Sequence, residues 1–161
     1  MAKAHPSTLL ALSAGIQSEL ASYVFYLEAI KKVGNKELED ILTKLAYEEK
    51  EHFHLLERQH HAKIKSEKWI SLADVMKQDG LPEINEEMAE EHKELIGLVR
   101  DSSSTREVLD IAYKLEEDAH NLFAREAERA DTDESKKMFT DLARFEKGHM
   151  GVVQDMIKKY A

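Results

Sequence analysis

Two stretches decide the fold: Leu45-Ala46-Tyr47-Glu48-Glu49-Lys50-Glu51-His52 and, 97 residues later, Leu142-Ala143-Arg144-Phe145-Glu146-Lys147-Gly148-His149. Each places a Glu-x-x-His pair among apolar residues at helical spacing. Leu38, Leu42, Leu45 and Leu56 share a face with Glu49 and His52, and Phe139, Leu142, Val153 and Met156 share one with Glu146 and His149. Residues three apart on an α-helix project from nearly the same side, so a carboxylate oxygen and an imidazole nitrogen can reach one point. The same offset of 97 aligns Glu19 with Glu116 without a gap. It also matches Leu12 with Leu109, Glu37 with Glu134, Thr43 with Thr140 and Lys50 with Lys147. A repeat of this kind reads as two copies of one helical hairpin.

Working outward, the apolar residues recur at the helical period along most of the chain. The spacing predicts helices over 6–33, 36–63, 105–130 and 133–160. Gly34 supplies a stop and Asn35 an N-cap. Ser104-Thr105-Arg106-Glu107 reads as a capping box, with Ser104 and Glu107 satisfying each other's backbone donors. Asp133 and Glu134 sit favourably in the first turn of the last helix. The connection over 66–103 reads as a short helix at Leu72 to Lys77, a turn at Asp79-Gly80-Leu81-Pro82, a helix from about Glu86 to Val99 and a polar hinge, Asp101 to Ser104. Helices this long need tertiary partners. The expected fold is all-α: a four-helix bundle of two antiparallel hairpins joined by a long, partly helical crossover, in one domain over 1–161.

Composition agrees. In 161 residues there are 6 Gly and 2 Pro, too few for the turns of an all-β fold, with 42% hydrophobic and 34% charged residues. Cysteine is absent, which excludes disulfides, thiolate zinc, iron–sulfur centres and cysteine nucleophiles. A net charge of −9 argues against nucleic acid as a partner. No apolar run is long enough to span a membrane, and the N-terminus does not read as a secretory leader, so a cytoplasmic location is expected.

Each of the four long helices thus carries a glutamate on its core-facing stripe: Glu19 beside Leu12, Ile16, Tyr23 and Tyr26; Glu49; Glu116 beside Leu109, Ala112, Tyr113 and Phe123; and Glu146. Burying four bare carboxylates would cost several kcal/mol each, comparable in sum with a domain's whole stability. No Lys or Arg lies within a turn on those stripes, so bound cations are the simplest compensation. Two divalent ions would neutralise the four acids. Oxygen and imidazole donors suit iron or manganese and accept zinc. The expected metal ligands are Glu19, Glu49, His52, Glu116, Glu146 and His149.

Three further Glu-x-x-His pairs, Glu51/His54, Glu57/His60 and Glu117/His120, have no counterpart under the repeat and read as solvated helix faces. Tyr23, Tyr26, Tyr47 and Tyr113 fall near the expected site. Each reads as core packing, with hydrogen bonding to a ligand carboxylate or supply of an electron as the alternative. Met138, Met150 and Met156 read as core filler. Trp69 reads as an anchor of the crossover to the bundle or to a second subunit.

One Glu from each of two helices and a Glu-x-x-His from each of the other two is the arrangement of ferritin-like di-metal carboxylate bundles. The segments 45–52, 115–119 and 142–149 resemble those of the rubrerythrin family. The resemblance covers about residues 9–63 and 105–160 and is weak in the crossover. It implies two iron ions, with manganese or zinc possible, and an oxidoreductase that reduces hydrogen peroxide or reacts with O2 as a peroxidase or ferroxidase, in which Glu19, Glu49, His52, Glu116, Glu146 and His149 would be catalytic through the metals. Without cysteine there is no rubredoxin centre, so electrons are expected from a separate, rubredoxin-like donor. A homodimer, with helices possibly exchanged, is the expected assembly. Rubrerythrins tend to carry an additional glutamate one turn after the third-helix ligand. That position is Ala119 here, and Ser22 in the first half. His120 is the candidate substitute, with a polar residue at the site edge as the alternative. The competing functions are iron storage or metal buffering in a ferritin-like cage, and a redox-silent metal-binding bundle.

Overall fold

In the computed structural model the backbone is described for residues 6–65 and 93–161, and side chains for 8–63 and 93–161. Five helices account for nearly all of it: α1 (Pro6–Val33), α2 (Lys36–Lys65), α3 (Lys93–Asp101), α4 (Thr105–Arg129) and α5 (Asp133–Tyr160). The fold is an all-α, ferritin-like bundle, and there is no strand among the described residues. None of the described helices is long and apolar enough to cross a membrane.

Local chemistry sets the helix ends. Pro at the first position of α1 loses no hydrogen bond, because that N–H has no partner within a helix. Gly34 adopts φ 64°, the left-handed conformation that ends α1 and that side chains with a Cβ resist. Asn35 then accepts from Leu38 N at 3.0 Å and starts α2. Ser104 accepts from Glu107 N at 3.2 Å, as expected. The return half of the capping box is different: Glu107 accepts from Ser103 N at 2.9 Å and from the Ser103 hydroxyl at 2.8 Å, not from Ser104. The carboxylate therefore braces the hinge one residue earlier. Thr132 caps α5 through Ser135 N at 3.1 Å, behind Asp133 and Glu134 in the first turn.

α1 packs along α2, and α4 along α5, as two hairpins. α1 also lies against α4, whereas α2 and α5 touch sparingly. That fourth seam leaves a groove of about 360 Å³ whose walls include Ile41, Leu45, Glu48, Val152 and Met156. α3 closes over α1. Its Val99 is fully buried, Arg100 pairs with Glu28 at 3.3 Å, and Lys32 Nζ donates to Arg100 O at 2.7 Å, satisfying a free carbonyl at the helix end. α3 continues to Asp101 and so includes a residue expected in the hinge. Trp69, the helix expected at 72–77, the turn at 79–82 and the first part of the helix expected from 86 lie outside the described residues.

The apolar core has two main bodies. One gathers Phe25, Tyr26, Leu38, Leu42, Leu109 and Val153; the other gathers Leu12, Leu55, Leu56, Phe123, Phe139 and Leu142. The glutamates stand on the same helix faces as both bodies.

Candidate metal centre

Glu19 on α1, Glu49 on α2, Glu116 on α4 and Glu146 on α5 are all 0% exposed, and His52 and His149 are 6% exposed. All six expected residues converge in the bundle interior. Their donor atoms form two groups, each with every donor atom within 4.8 Å of the others: Glu19, Glu49, His52 and Glu146; and Glu49, Glu116, Glu146 and His149. Glu49 and Glu146 belong to both. Each group draws on three helices and the two together on all four long ones, which is why the donors are scattered over 130 residues of sequence yet adjacent in space.

Both imidazoles turn Nδ1 inward. His52 Nδ1 lies 3.3 Å from Glu146, 3.5 Å from Glu19 and 3.8 Å from Glu49. His149 Nδ1 lies 2.9 Å from Glu49, 3.3 Å from Glu146 and 3.4 Å from Glu116. The two rings stack with centroids 6.0 Å apart. No Lys or Arg among the described residues pairs with the four acids; their charged partners are these two histidines.

Even so, both oxygens of Glu19 and one each of Glu49, Glu116 and Glu146 have no hydrogen-bond partner. Buried carboxylate oxygens are seldom left so, because each unmet acceptor costs its full desolvation. Convergent, buried, under-satisfied oxygens with two inward imidazole nitrogens are what a pair of cations would complete.

The electrostatics show how the cluster balances itself by protons. Burial, then the nearby Glu146 and Glu49, push Glu19 well above the ordinary carboxylate range. Burial raises Glu116 to about 7, with Glu146 adding to the rise and His149 opposing it. Glu146 goes the other way: burial pushes it up, but Glu116, His149 and His52 outweigh this and hold it at about 2. Burial alone would depress the histidines. Contacts with Glu146 and Glu49 instead lift His52 to about 9, and contacts with Glu116, Glu146 and Glu49 lift His149 further. The rises at both imidazoles, Glu19 and Glu116 all work against net negative charge in the core, the imbalance that bound cations would offset.

Two side chains bond the cluster from outside it: Tyr26, weighed above as packing or as a hydrogen-bond donor, and Glu48, which the sequence reading did not single out. The Tyr26 hydroxyl donates to Glu116 Oε1 at 2.5 Å, across 90 residues. Of the four tyrosines near the site, Tyr26 therefore follows the hydrogen-bonding alternative, while Tyr47 is 64% exposed and belongs to the surface. His149 Nε2 faces Glu48 Oε2 at 2.7 Å. A carboxylate there accepts a hydrogen bond from Nε2–H, so that a cation displacing the Nδ1 proton would meet the Nδ1 lone pair, the usual outer support of a metal-binding histidine.

Against known families, residues 11–157 match the rubrerythrin model. The chain belongs to the rubrerythrin family. No curated protein and no solved structure matches it. Family membership and the Glu/His cluster agree on a ferritin-like protein whose donor set is compatible with two iron ions.

The rubrerythrin resemblance also frames the departures. Ala119, where an additional glutamate is expected, is buried and brings no ligand. His120 does not join either donor group; its Nδ1 is bonded to Ala143 O at 2.9 Å, which ties α4 to the α5 backbone. His54 departs from the solvated reading of its pair: it is 6% exposed, although Glu51 is exposed. The Glu57/His60 and Glu117/His120 pairs are half-buried and outside the donor groups.

Proposed function

We propose that the protein is a non-haem di-iron oxidoreductase that reduces hydrogen peroxide, or uses O2 to oxidise ferrous iron, with electrons from a separate donor such as a rubredoxin-like protein. The observation that carries the reading is the set of five orphaned carboxylate oxygens converging with two imidazole nitrogens in a buried core. Oxygen and borderline nitrogen donors suit iron. When bound, two iron ions supply one-electron redox chemistry between Fe(II) and Fe(III), which these side chains lack. Glu19 and His52 would serve one position, Glu116 and His149 the other, with Glu49 and Glu146 shared.

The chain's own residues supply the rest. Full burial of the four glutamates keeps bulk water from the reacting centre. Tyr26 holds one oxygen of Glu116 and leaves the other turned to the cluster. Glu48 fixes the His149 ring. These 161 residues contain no cysteine to hold an FeS4 centre, and the proposed donor supplies that centre from a separate protein.

Metal analysis of protein purified from iron-replete cells tests the site, with about two ions per chain expected. Peroxide turnover tests the activity. Catalytic loss of peroxide on adding a reductant supports the oxidoreductase. Stoichiometric Fe(II) oxidation followed by mineral growth would replace it with storage, and a redox-silent zinc pair would replace it with a structural role.

A further inference from the structure

The repeat makes the two metal positions comparable residue by residue, and their outer surroundings do not match. His149 is backed by Glu48 at 2.7 Å. The residue matched to Glu48 at the offset of 97 is Phe145. Its ring lies with its centroid 5.2 Å from that of His52, tilted by 30°. It packs on the imidazole but has no oxygen to accept an N–H. Glu116 is held by the Tyr26 hydroxyl. The residue matched to Tyr26 is Phe123, which has no hydroxyl, and Glu19 has no hydrogen-bond partner on either oxygen. Glu49 and Glu146 contribute to both donor groups, so they cannot produce the difference.

We infer that the two positions are unequal by construction: the Glu116/His149 position, braced by Glu48 and Tyr26, takes a divalent ion first and holds it more tightly, and the Glu19/His52 position fills second. The inference rests on the di-metal reading of the site. An imidazole oriented and made more basic by an outer carboxylate binds metal about 10- to 100-fold more tightly than one without it. A carboxylate already held in one rotamer loses less freedom when an ion arrives than one that is unrestrained. Glu48 acts through His149 and is a positioning residue. It is partly exposed at the α2/α5 groove, so substituting it leaves the core packing in place.

The test is titration of Co(II), which does not require O2 or reductant, into the metal-free full chain, followed by calorimetry and by the hyperfine-shifted imidazole resonances. At one equivalent the His149 ring signals should shift while those of His52 stay unshifted, and the two binding steps should differ at least tenfold. Glu48→Ala should weaken the first step by about 10- to 100-fold and leave the second nearly unchanged. Glu48→Gln, which keeps an acceptor oxygen, should recover part of the loss. Phe145→Glu should tighten the second step toward the first. Circular dichroism confirms that each variant is folded. Equal filling of both positions in the unaltered chain, or equal weakening of both steps by Glu48→Ala, overturns the inequality while the di-metal reading stands. Failure to bind Co(II) at all overturns both.

Discussion

The Glu116/His149 side and the Glu19/His52 side of the centre carry the same ligands on equivalent helices, yet they solve burial differently. On the first side, Tyr26 and Glu48 meet part of the hydrogen-bonding demand of the ligands. On the second, aromatic rings stand at the matching positions, Phe123 and Phe145, and Glu19 stays unsatisfied. The contrast shows that a ligand set can be kept through a repeat while its supporting shell diverges.

The largest effect should come from removing what the two sides share. Glu49 and Glu146 belong to both donor groups, so the Glu49→Ala/Glu146→Ala protein should lose nearly all bound metal. Retention of two ions per chain, measured by elemental analysis, would end the comparison along with the site.

Next comes a pair of substitutions aimed at one side each, read by urea unfolding in the presence of a chelator. Glu19→Leu removes an unsatisfied buried acid and should stabilise the metal-free protein by about 1–4 kcal/mol. Glu116→Leu removes a similar acid but orphans the Tyr26 hydroxyl, at a cost of about 1–3 kcal/mol, so its net change should be much smaller. Equal gains would mean that Tyr26 contributes nothing to the difference.

The proton balance gives a third test. His52 is lifted from 6.5 to about 9, so the stability it contributes is fully present below 6.5 and is lost as pH rises through about 9. Glu116, lifted from 4.5 to about 7, and Glu19, raised by burial, act in the same direction, because folding opposes their ionisation. Glu146 has the opposite sign, but its contribution is lost only as pH falls through about 2. The metal-free protein should therefore melt several degrees lower at pH 9.5 than at pH 6. The metal-loaded protein should show a weaker fall, since bound cations replace the protons. A melting temperature of the metal-free chain that rises over that range would refute the charge balance.

The smallest effect concerns backbone and packing in the two halves. Gly151 on α5 has open space where a Cβ would sit, so Gly151→Ala should stabilise by up to about 1 kcal/mol through helix propensity. At Gly15 on α1 a Cβ would stand 3.0 Å from Phe123 and 3.1 Å from Leu56, so much of the same gain should be offset by crowding. Denaturant midpoints of the two variants give the comparison directly.

Much of this protein is legible without coordinates. The four long helices follow from the 3.6-residue recurrence of Leu, Ile, Val and Phe, and several of their ends from Gly34, Asn35 and Ser104, because those are local interactions within a few residues of chain. The six converging residues are legible too: a charged residue on an apolar stripe is an energetic anomaly, and the repeat at 97 marks which anomalies belong together. What sequence could not supply lies between helices. Tyr26 reaches Glu116 across 90 residues and Glu48 reaches His149 across 101, and whether such pairs meet depends on the rotation and spacing of packed helices. Glu48 and Glu51 flank Glu49 in sequence, yet Glu48 bonds the His149 imidazole and Glu51 faces solvent. His54 is buried although its neighbour Glu51 is not, and Glu107 braces Ser103 instead of Ser104. Periodicity says which face of a helix turns inward; only the packed bundle decides which inward atoms touch, because that is set by all the side chains between the helices at once.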